Sequence, residues 1–102
     1  MKKAVVAFMR RGSQWNPDKA VREQAYWDEH ARFMDSLFAN GKVILAGPFA
    51  DASGSMIILA VERVEEAKAI LRDDPWAEQE ILVTGEIKPW TIFLDVRDKA
   101  DG

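Results

Sequence analysis

The stretch YWDEHARFMDSLFANGKVILAGPF, Tyr26–Phe49, contains a helix pattern followed by a strand pattern, and this order decides the fold. Apolar residues recur at steps of three and four positions, as on one face of an amphipathic helix, until Asn40 and Gly41 end the pattern. Asn16-Pro17-Asp18 is typical of a helix entry. The spacing therefore predicts one long helix, and the single histidine of the chain lies inside its apolar stripe of Val21, Tyr26, Trp27, His30, Phe33, Met34, Leu37 and Phe38.

The rest of the chain contains short patterns of the same two kinds. A β-branched apolar run precedes the helix, and two further runs separated by a turn predict a hairpin after it. A second helix follows, Asp73-Asp74-Pro75 breaks it, and the last strand contains Pro89, which suggests an edge position or a bulge. The predicted strands are 3–9, 42–49, 56–61 and 86–96, the second helix is 65–72, and a short helical turn lies at 77–82.

The order β, α, β, β, α, β is that of the ferredoxin-like split βαβ fold. We therefore expect an α+β domain with a four-stranded antiparallel sheet and both helices on one face. A chain of 102 residues is one domain by size. We place this domain at residues 1–97 and expect a loose polar tail at 98–102.

The first and third strands are apolar at both alternating sets of positions. A sheet with one face in water alternates instead between apolar and polar residues. Two helices cover only one face, so the other face requires a partner, and the simplest partner is the same sheet of a second copy. The pattern predicts a homodimer with stacked sheets, the dimeric α+β barrel architecture, and leaves higher homo-oligomers open.

Composition argues against several classes of function. The 14 basic and 17 acidic residues give a net charge of −3, and the basic residues are scattered. Nucleic acid is therefore not an expected partner, because phosphate binding needs concentrated positive charge. The chain has no cysteine, which excludes disulfides and thiolate chemistry. No apolar run is as long as that of a signal peptide or a membrane span, so we expect a cytoplasmic protein that does not enter the membrane.

The sequence gives no indication of a cofactor. One histidine without cysteine cannot form a usual zinc site, whereas a Mg²⁺ or Ca²⁺ site of carboxylates alone stays open. Heme ligation by His30 has nothing specific in its favour. The glycines fit neither a dinucleotide fingerprint nor a phosphate-binding loop, and no GxSxG nucleophile elbow is present. We expect an activity that needs no metal and no cofactor.

His30 and Asp74 are the candidate catalytic residues. A lone histidine in an apolar stripe is more often a structural imidazole bound to a backbone carbonyl. The functional alternative is a general acid or base, because imidazole groups titrate near neutral pH. Asp74 before Pro75 is typical of a helix N-cap followed by proline at the first helical position. Asp74 could also, or instead, orient His30 and fix its tautomer.

Four further residues are candidates for substrate binding. Gly47 and Pro48 at a strand end are typical of a bulge or turn. A small residue there would also let a ligand approach the backbone closely. Phe49 and Trp76 could wall a cavity together with aromatic residues of the first helix, although tryptophan is more often simply part of a core.

The segments HARFMDSLFANGKVILAGPF, SMIILAV, VEEAKAIL, DDPW and EIKPW, in this order, resemble the YCII-related domain family. The resemblance covers residues 26–94 and depends on a helix histidine, G-x-x-x-x-x-GP, and DP followed by an aromatic residue. It implies a ferredoxin-like fold that dimerises into a barrel, with His30 and Asp74 as an active-site pair. Related members include a dehydrochlorinase of chlorinated hydroquinones. This chain departs from the family by its longer segment SQWNPDKAVREQAYW, which we expect to alter the cavity entrance, and by Trp76 in place of phenylalanine or tyrosine.

The leading hypothesis is a small cofactor-independent enzyme in which His30, oriented by Asp74, moves a proton on a small cyclic or aromatic compound. Isomerisation, elimination and lactone chemistry all fit. The alternative is a non-catalytic dimeric module that binds a small ligand or pairs subunits, and a third possibility is an oxidative, monooxygenase-like reaction. A His30–Asp74 contact of about 3 to 4 Å beside a ligand-sized cavity favours the enzyme. A histidine bound to a backbone carbonyl, with no cavity, favours the module.

Overall fold

The computed structural model describes residues 2–101. The order of its elements confirms the predicted β, α, β, β, α, β pattern, with one additional short helix. Short 3₁₀ turns lie at Val21–Glu23 and Val96–Asp101. The strands are β1 (Lys2–Arg11), β2 (Val43–Pro48), β3 (Gly54–Leu59) and β4 (Leu82–Ile92), and the helices are α1 (Trp27–Ala39), α2 (Val64–Arg72) and α3 (Pro75–Glu78).

The four strands form one antiparallel sheet in the order β2-β3-β1-β4. This order, with the two apolar strands β1 and β3 at the centre, is that of the ferredoxin-like fold. The predicted α+β fold is confirmed. Pro89 lies in the edge strand β4, where the missing backbone N–H need not serve a second neighbour.

Alternate residues of the central strands lie in two apolar clusters on opposite faces of the sheet. Val5 and Ala7 pack in the main core together with residues of the helices. Ala4 and Val6 belong to a second cluster that consists of strand residues only. The main core lies between sheet and helices, and its most fully buried large side chains are Trp76, Leu59, Leu71, Ile81 and Val5.

The predicted helix start at Asn16–Asp18 is wrong, because α1 begins only at Trp27. Residues 12–26, which we call the entrance segment, are irregular apart from one 3₁₀ turn. The buried side chain of Gln24 holds this segment. Its oxygen accepts a hydrogen bond from the backbone N–H of Asn16 (2.9 Å), and its amide donates to the carbonyl of Asn16 (2.7 Å). The hydrogen bonds of Gln24 thus take the place of the backbone hydrogen bonds that a helix would make here. The spacing of apolar residues does not indicate such contacts.

Strand and helix boundaries also differ from the predictions by a few residues. β4 begins and ends four positions earlier than predicted, because β1 extends to Arg11 and pairs there with Leu82. The predicted helical turn at 77–82 lies instead at Pro75–Glu78, since Asp74 caps it. The junction between the entrance segment and α1 is Tyr26, whose φ of 62° lies in the left-handed region.

Beyond β4, charged side chains link the two ends of the chain. Lys2 donates a hydrogen bond to Asp98 (2.6 Å), and Arg97 donates to Asp95. The predicted loose tail at 98–102 extends to Gly102, which lies outside the described residues, and a domain end at residue 97 stays a prediction. None of the helices in residues 2–101 combines the length and the apolar composition needed to cross a membrane.

Candidate functional site

His30 is the fourth residue of α1 and lies on the side that faces the core, with 9% of its surface exposed. Its Nδ1 lies 2.9 Å from Oδ1 and 2.8 Å from Oδ2 of Asp74. A carboxylate only accepts hydrogen bonds, so Nδ1 carries the proton and donates it. Within residues 2–101 the other ring nitrogen, Nε2, makes no hydrogen bond. The imidazole is therefore fixed at one nitrogen and available at the other.

Asp74 lies 44 positions after His30 in the sequence and is 2% exposed. Its Oδ1 also accepts a hydrogen bond from the backbone N–H of Trp76 (2.9 Å), which makes Asp74 the N-cap of α3 with Pro75 at the first helical position. Capping and contact with the imidazole were open alternatives from the sequence. The structure brings both together in one carboxylate.

Trp76 places a flat surface against the imidazole. The ring centroids of Trp76 and His30 are 3.9 Å apart, and the rings are within 7° of parallel. The indole of Trp76 is fixed in turn, because its Nε1 donates a hydrogen bond to the carbonyl of Ala25 (2.8 Å). The rings of Trp27 and Trp15 also pack against it, with centroid distances of 5.6 and 6.0 Å. His30 is thus held in its plane by Asp74 and on its face by Trp76.

A cavity of about 300 Å³ lies beside this pair. Its wall is mainly apolar, and it combines residues of the sheet, of α1 and of the entrance segment. The lining residues are Trp15, Val21, Arg22, Trp27, His30, Met34, Ala46, Gly47, Pro48, Ala52, Gly54, Ser55, Ile57, Trp76 and Leu82. This volume is at the lower end of the range for small-molecule sites and suits a ligand of one or two rings.

The model of the YCII-related domain matches residues 7–91. The chain belongs to the YCII-related domain family. Among solved structures, this YCII-related chain is similar to 5-chloro-2-hydroxyhydroquinone dehydrochlorinase from Burkholderia phenoliruptrix AC1100, determined in complex with 2,5-dihydroxybenzoquinone. The TM-score is 0.58 at 17% sequence identity, over 91% of this chain and 97% of that one, so the likeness is one of fold. Among curated proteins, no sequence matches significantly.

Three of the four predicted binding residues of the YCII-related chain line the cavity, and the fourth does not. Gly47 and Pro48 line the cavity, and a Cβ atom added at Gly47 would meet nothing within 4 Å. The glycine therefore leaves open space in the wall. Trp76 also lines the cavity, but it is 2% exposed and its ring stacks on His30. Phe49 is 39% exposed and is not among the lining residues. Contact of these four residues with a substrate stays a prediction.

The sequence predicts that the entrance segment alters the cavity entrance, but it does not indicate which of its side chains line the wall. Trp15, Val21 and Arg22 all line the cavity. The periodic pattern instead predicts a helix that begins at Asn16–Asp18 and includes Val21 and Arg22. The available signal is the departure of this segment from the family pattern, which predicts an altered entrance without distinguishing Trp15, Val21 and Arg22 from the rest of the segment.

The described part of the chain offers no group of three or more histidine, cysteine, aspartate or glutamate residues that could hold a metal ion. The polar groups of the site are instead the His30–Asp74 pair, Arg22, Ser55 and the indole nitrogens. The wall thus presents a fixed imidazole in apolar surroundings. Such a group can exchange a proton with a bound molecule.

Proposed function

We propose that this YCII-related chain is a small enzyme that transfers protons on a cyclic or aromatic compound bound beside His30. The observation that carries the proposal is the buried contact of His30 Nδ1 with the Asp74 carboxylate at 2.8 Å, in the wall of a cavity of about 300 Å³. A paired imidazole next to a ligand-sized space is the arrangement expected of a general acid or base. The likeness to a dehydrochlorinase determined with a dihydroxybenzoquinone supports a ring compound as the ligand.

In the proposed reaction, His30 Nε2 takes a proton from a carbon or hydroxyl group of the substrate. The electron pair left behind is delocalised into the ring or an adjacent carbonyl group. The imidazolium then returns the proton at another position, which is an isomerisation, or the electron pair expels chloride, so that H⁺ and Cl⁻ leave together. Asp74 keeps the proton of Nδ1 in place, which leaves Nε2 to perform both transfers.

The surroundings of His30 suit this chemistry. Trp27, Met34 and Ile57 contribute apolar surface to the wall, which excludes water and holds a flat molecule. Proton transfer by a positioned side chain contributes about 10² to 10⁴ in rate. A gain of this size is sufficient for an activated carbon acid and insufficient for a difficult hydrolysis.

We also propose that the helix-free face of the sheet pairs with the same face of a second copy. Trp90 is opposite Ala4 in the register of β1 and β4, and Leu45 is opposite Ile58 in that of β2 and β3, so both side chains extend the second apolar cluster. They are 43% and 64% exposed. A two-fold contact would bury this surface on both copies at once.

The catalytic proposal is tested by hydrogen exchange on candidate substrates. Wild type and His30→Ala are incubated in D₂O with cyclic ketones and with hydroxylated or chlorinated aromatics, and deuterium incorporation and chloride release are followed by NMR and ion chromatography. We expect His30→Ala to lose about a hundredfold or more of the rate. The matched structural check is far-UV circular dichroism of both proteins. Full activity in a folded His30→Ala protein would refute the proposal.

A non-catalytic ligand-binding module is the second candidate. The observation that favours it is that His30 is buried, stacked on Trp76 and bonded to the N-cap of α3, contacts that stabilise the fold whether or not the imidazole reacts. The same experiment separates the two functions. A compound that binds in the cavity and is recovered without exchanged hydrogen, in wild type and His30→Ala alike, would indicate the module.

A further inference from the structure

The ionisable side chains that line the cavity are a cation and an imidazole, with no carboxylate among them. Arg22 contributes the positive charge and His30 the imidazole. Asp74 is buried behind the imidazole, where its oxygens accept from His30 Nδ1 and the backbone of Trp76. Because this carboxylate is absent from the lining, a ligand meets no fixed negative charge. The wall therefore favours a ligand that is itself negative.

Arg22 is available to such a ligand. It is an exposed residue of the entrance segment, and within residues 2–101 it makes no ion pair. The acidic neighbour Glu23 is engaged elsewhere, since its side chain accepts from the backbone N–H of Ala20 (3.1 Å). A guanidinium presents several N–H donors in one plane and matches the two oxygens of a carboxylate. The residue at the cavity edge is thus equipped to recognise an oxyanion.

A second donor lies in the same segment. The Nε1 of Trp15 is buried and has no hydrogen-bond partner, and Trp15 also lines the cavity. The Arg11 guanidinium lies 5.3 Å from the centre of the Trp15 ring, which adds positive charge near this wall. The entrance segment thus adds the positive charge of Arg22 to the cavity wall and no carboxylate, while Arg11 of β1 adds positive charge nearby.

We propose that the cavity binds a small cyclic or aromatic anion, a carboxylate or an ionised hydroxyl compound, and that Arg22 recognises its negative group. The proposal rests on the proposed function for the place of the reacting atoms beside His30. Arg22 then anchors the end of the molecule that does not react. An anchor that acts equally on bound substrate and transition state changes KM and leaves kcat nearly constant.

The experiment compares two probes of nearly the same shape, 2,5-dihydroxybenzoate and the uncharged 2,5-dihydroxybenzamide. Their dissociation constants are measured by isothermal titration calorimetry at low and high salt. The variants are Arg22→Gln, Arg22→Lys and Arg32→Gln. Arg32 is the matched control, since it lies outside the cavity, with its guanidinium 3.7 Å from Glu29, and its substitution changes the net charge equally. The variant His30→Gln tests whether the preference for the anion persists when turnover is lost.

We expect wild type and Arg32→Gln to bind the acid at least about fivefold more tightly than the amide, which is the effect of one partly screened ion pair. Arg22→Gln should reduce this preference to less than about twofold, Arg22→Lys should keep part of it, and salt should weaken it. Equal affinity for both probes in wild type, an unchanged preference in Arg22→Gln, or no binding of either probe would each overturn the proposal. A preference that persists in His30→Gln while turnover is lost supports both proposals. A preference for the acid in a wild-type protein whose turnover does not depend on His30 would support the anion site and overturn only the catalytic proposal.

Discussion

The substitution Asp74→Asn distinguishes the two roles of the Asp74 carboxylate, which caps α3 and accepts a hydrogen bond from His30. Asparagine keeps an oxygen that can accept from the backbone N–H of Trp76, so the cap of α3 survives. The amide nitrogen that replaces the other oxygen is a donor and cannot accept from His30 Nδ1. The imidazole then either keeps only the capping oxygen, 2.9 Å from Nδ1, as an acceptor, or moves its proton from Nδ1 to Nε2 and accepts from the amide. In the first case the ring loses the negative charge that stabilises its protonated form, and in the second Nε2 already carries a proton, so in both Nε2 is less able to take a proton from a substrate.

The cost follows from the contacts. Loss of one buried hydrogen bond to a charged group lowers the free energy of unfolding by about 1.5 to 3 kcal/mol. If the amide of the new asparagine forms a hydrogen bond to the imidazole, the loss is at the lower end of this range. In a domain of this size that corresponds to a fall in melting temperature of roughly 6 to 15 °C. Asp74→Ala removes the cap as well and should cost about 1 kcal/mol more. Turnover in Asp74→Asn should fall by about 10² or more, as for a misplaced general base.

The assay for the tautomer needs no substrate. The chain has one histidine, so a sample labelled with ¹⁵N-histidine gives a single pair of ring nitrogen signals. At a pH where the ring is neutral, wild type should have its proton on Nδ1, and Asp74→Asn should have it on Nε2. Asp73→Asn is the matched control, because it changes the same charge at the exposed neighbouring position.

Two results would refute this reasoning. One is a wild-type spectrum with the proton on Nε2, because the carboxylate would then not fix the tautomer. The other is an Asp74→Asn protein with wild-type turnover and an unchanged spectrum. A lower melting temperature alone would not support the orienting role, since the loss of any buried contact produces it.

Three further perturbations test the assembly, the packing and the charges. Trp90→Lys should convert the proposed dimer to a monomer in sedimentation analysis, because it places charge on the apolar sheet face; an unchanged mass would contradict the dimer proposal. Gly12→Ala should lower the free energy of unfolding in urea by about 1 to 3 kcal/mol, since the new Cβ would lie 2.1 Å from the carbonyl oxygen of Glu80; an unchanged midpoint would exclude this close contact. Hydrogen bonds from Arg97 lower the pKa of Asp95, so their contribution to stability is present at neutral pH and is lost as the pH falls below about 3.9. The protection of amides after β4, measured as exchange relative to the intrinsic rate at each pH, should fall there in wild type, whereas in Asp95→Asn it should already be low at neutral pH and change little.

Much of the fold could be predicted because its signals are local. The strand pattern of β1 and β3 appeared as two sets of apolar positions, and these sets lie in the two clusters of the structure. The end of α1 at Asn40-Gly41 and the cap at Asp74-Pro75 follow from backbone preferences of single residues. Such features need no knowledge of distant parts of the chain.

The entrance segment could not be predicted in this way. Val21 and Tyr26 continue the periodicity of α1, yet the backbone there is held by Gln24 and turns at Tyr26 with a positive φ. Both features depend on tertiary contacts. The residues themselves leave contact between His30 and Asp74 as one of two alternatives, and the family resemblance implies that they form a pair. The place of Arg22 in the cavity wall depends on tertiary contacts and is known only from the structure.

The fixed orientation of the imidazole has a stereochemical consequence. With Nδ1 bound to Asp74 and one face covered by Trp76, His30 would, in the proposed reaction, meet a ligand through Nε2 alone, on one side of the cavity. A hydrogen removed and returned by that atom must leave and arrive on the same side of a flat molecule. An isomerisation catalysed here would be suprafacial, and a chirally deuterated substrate would keep its label on that side.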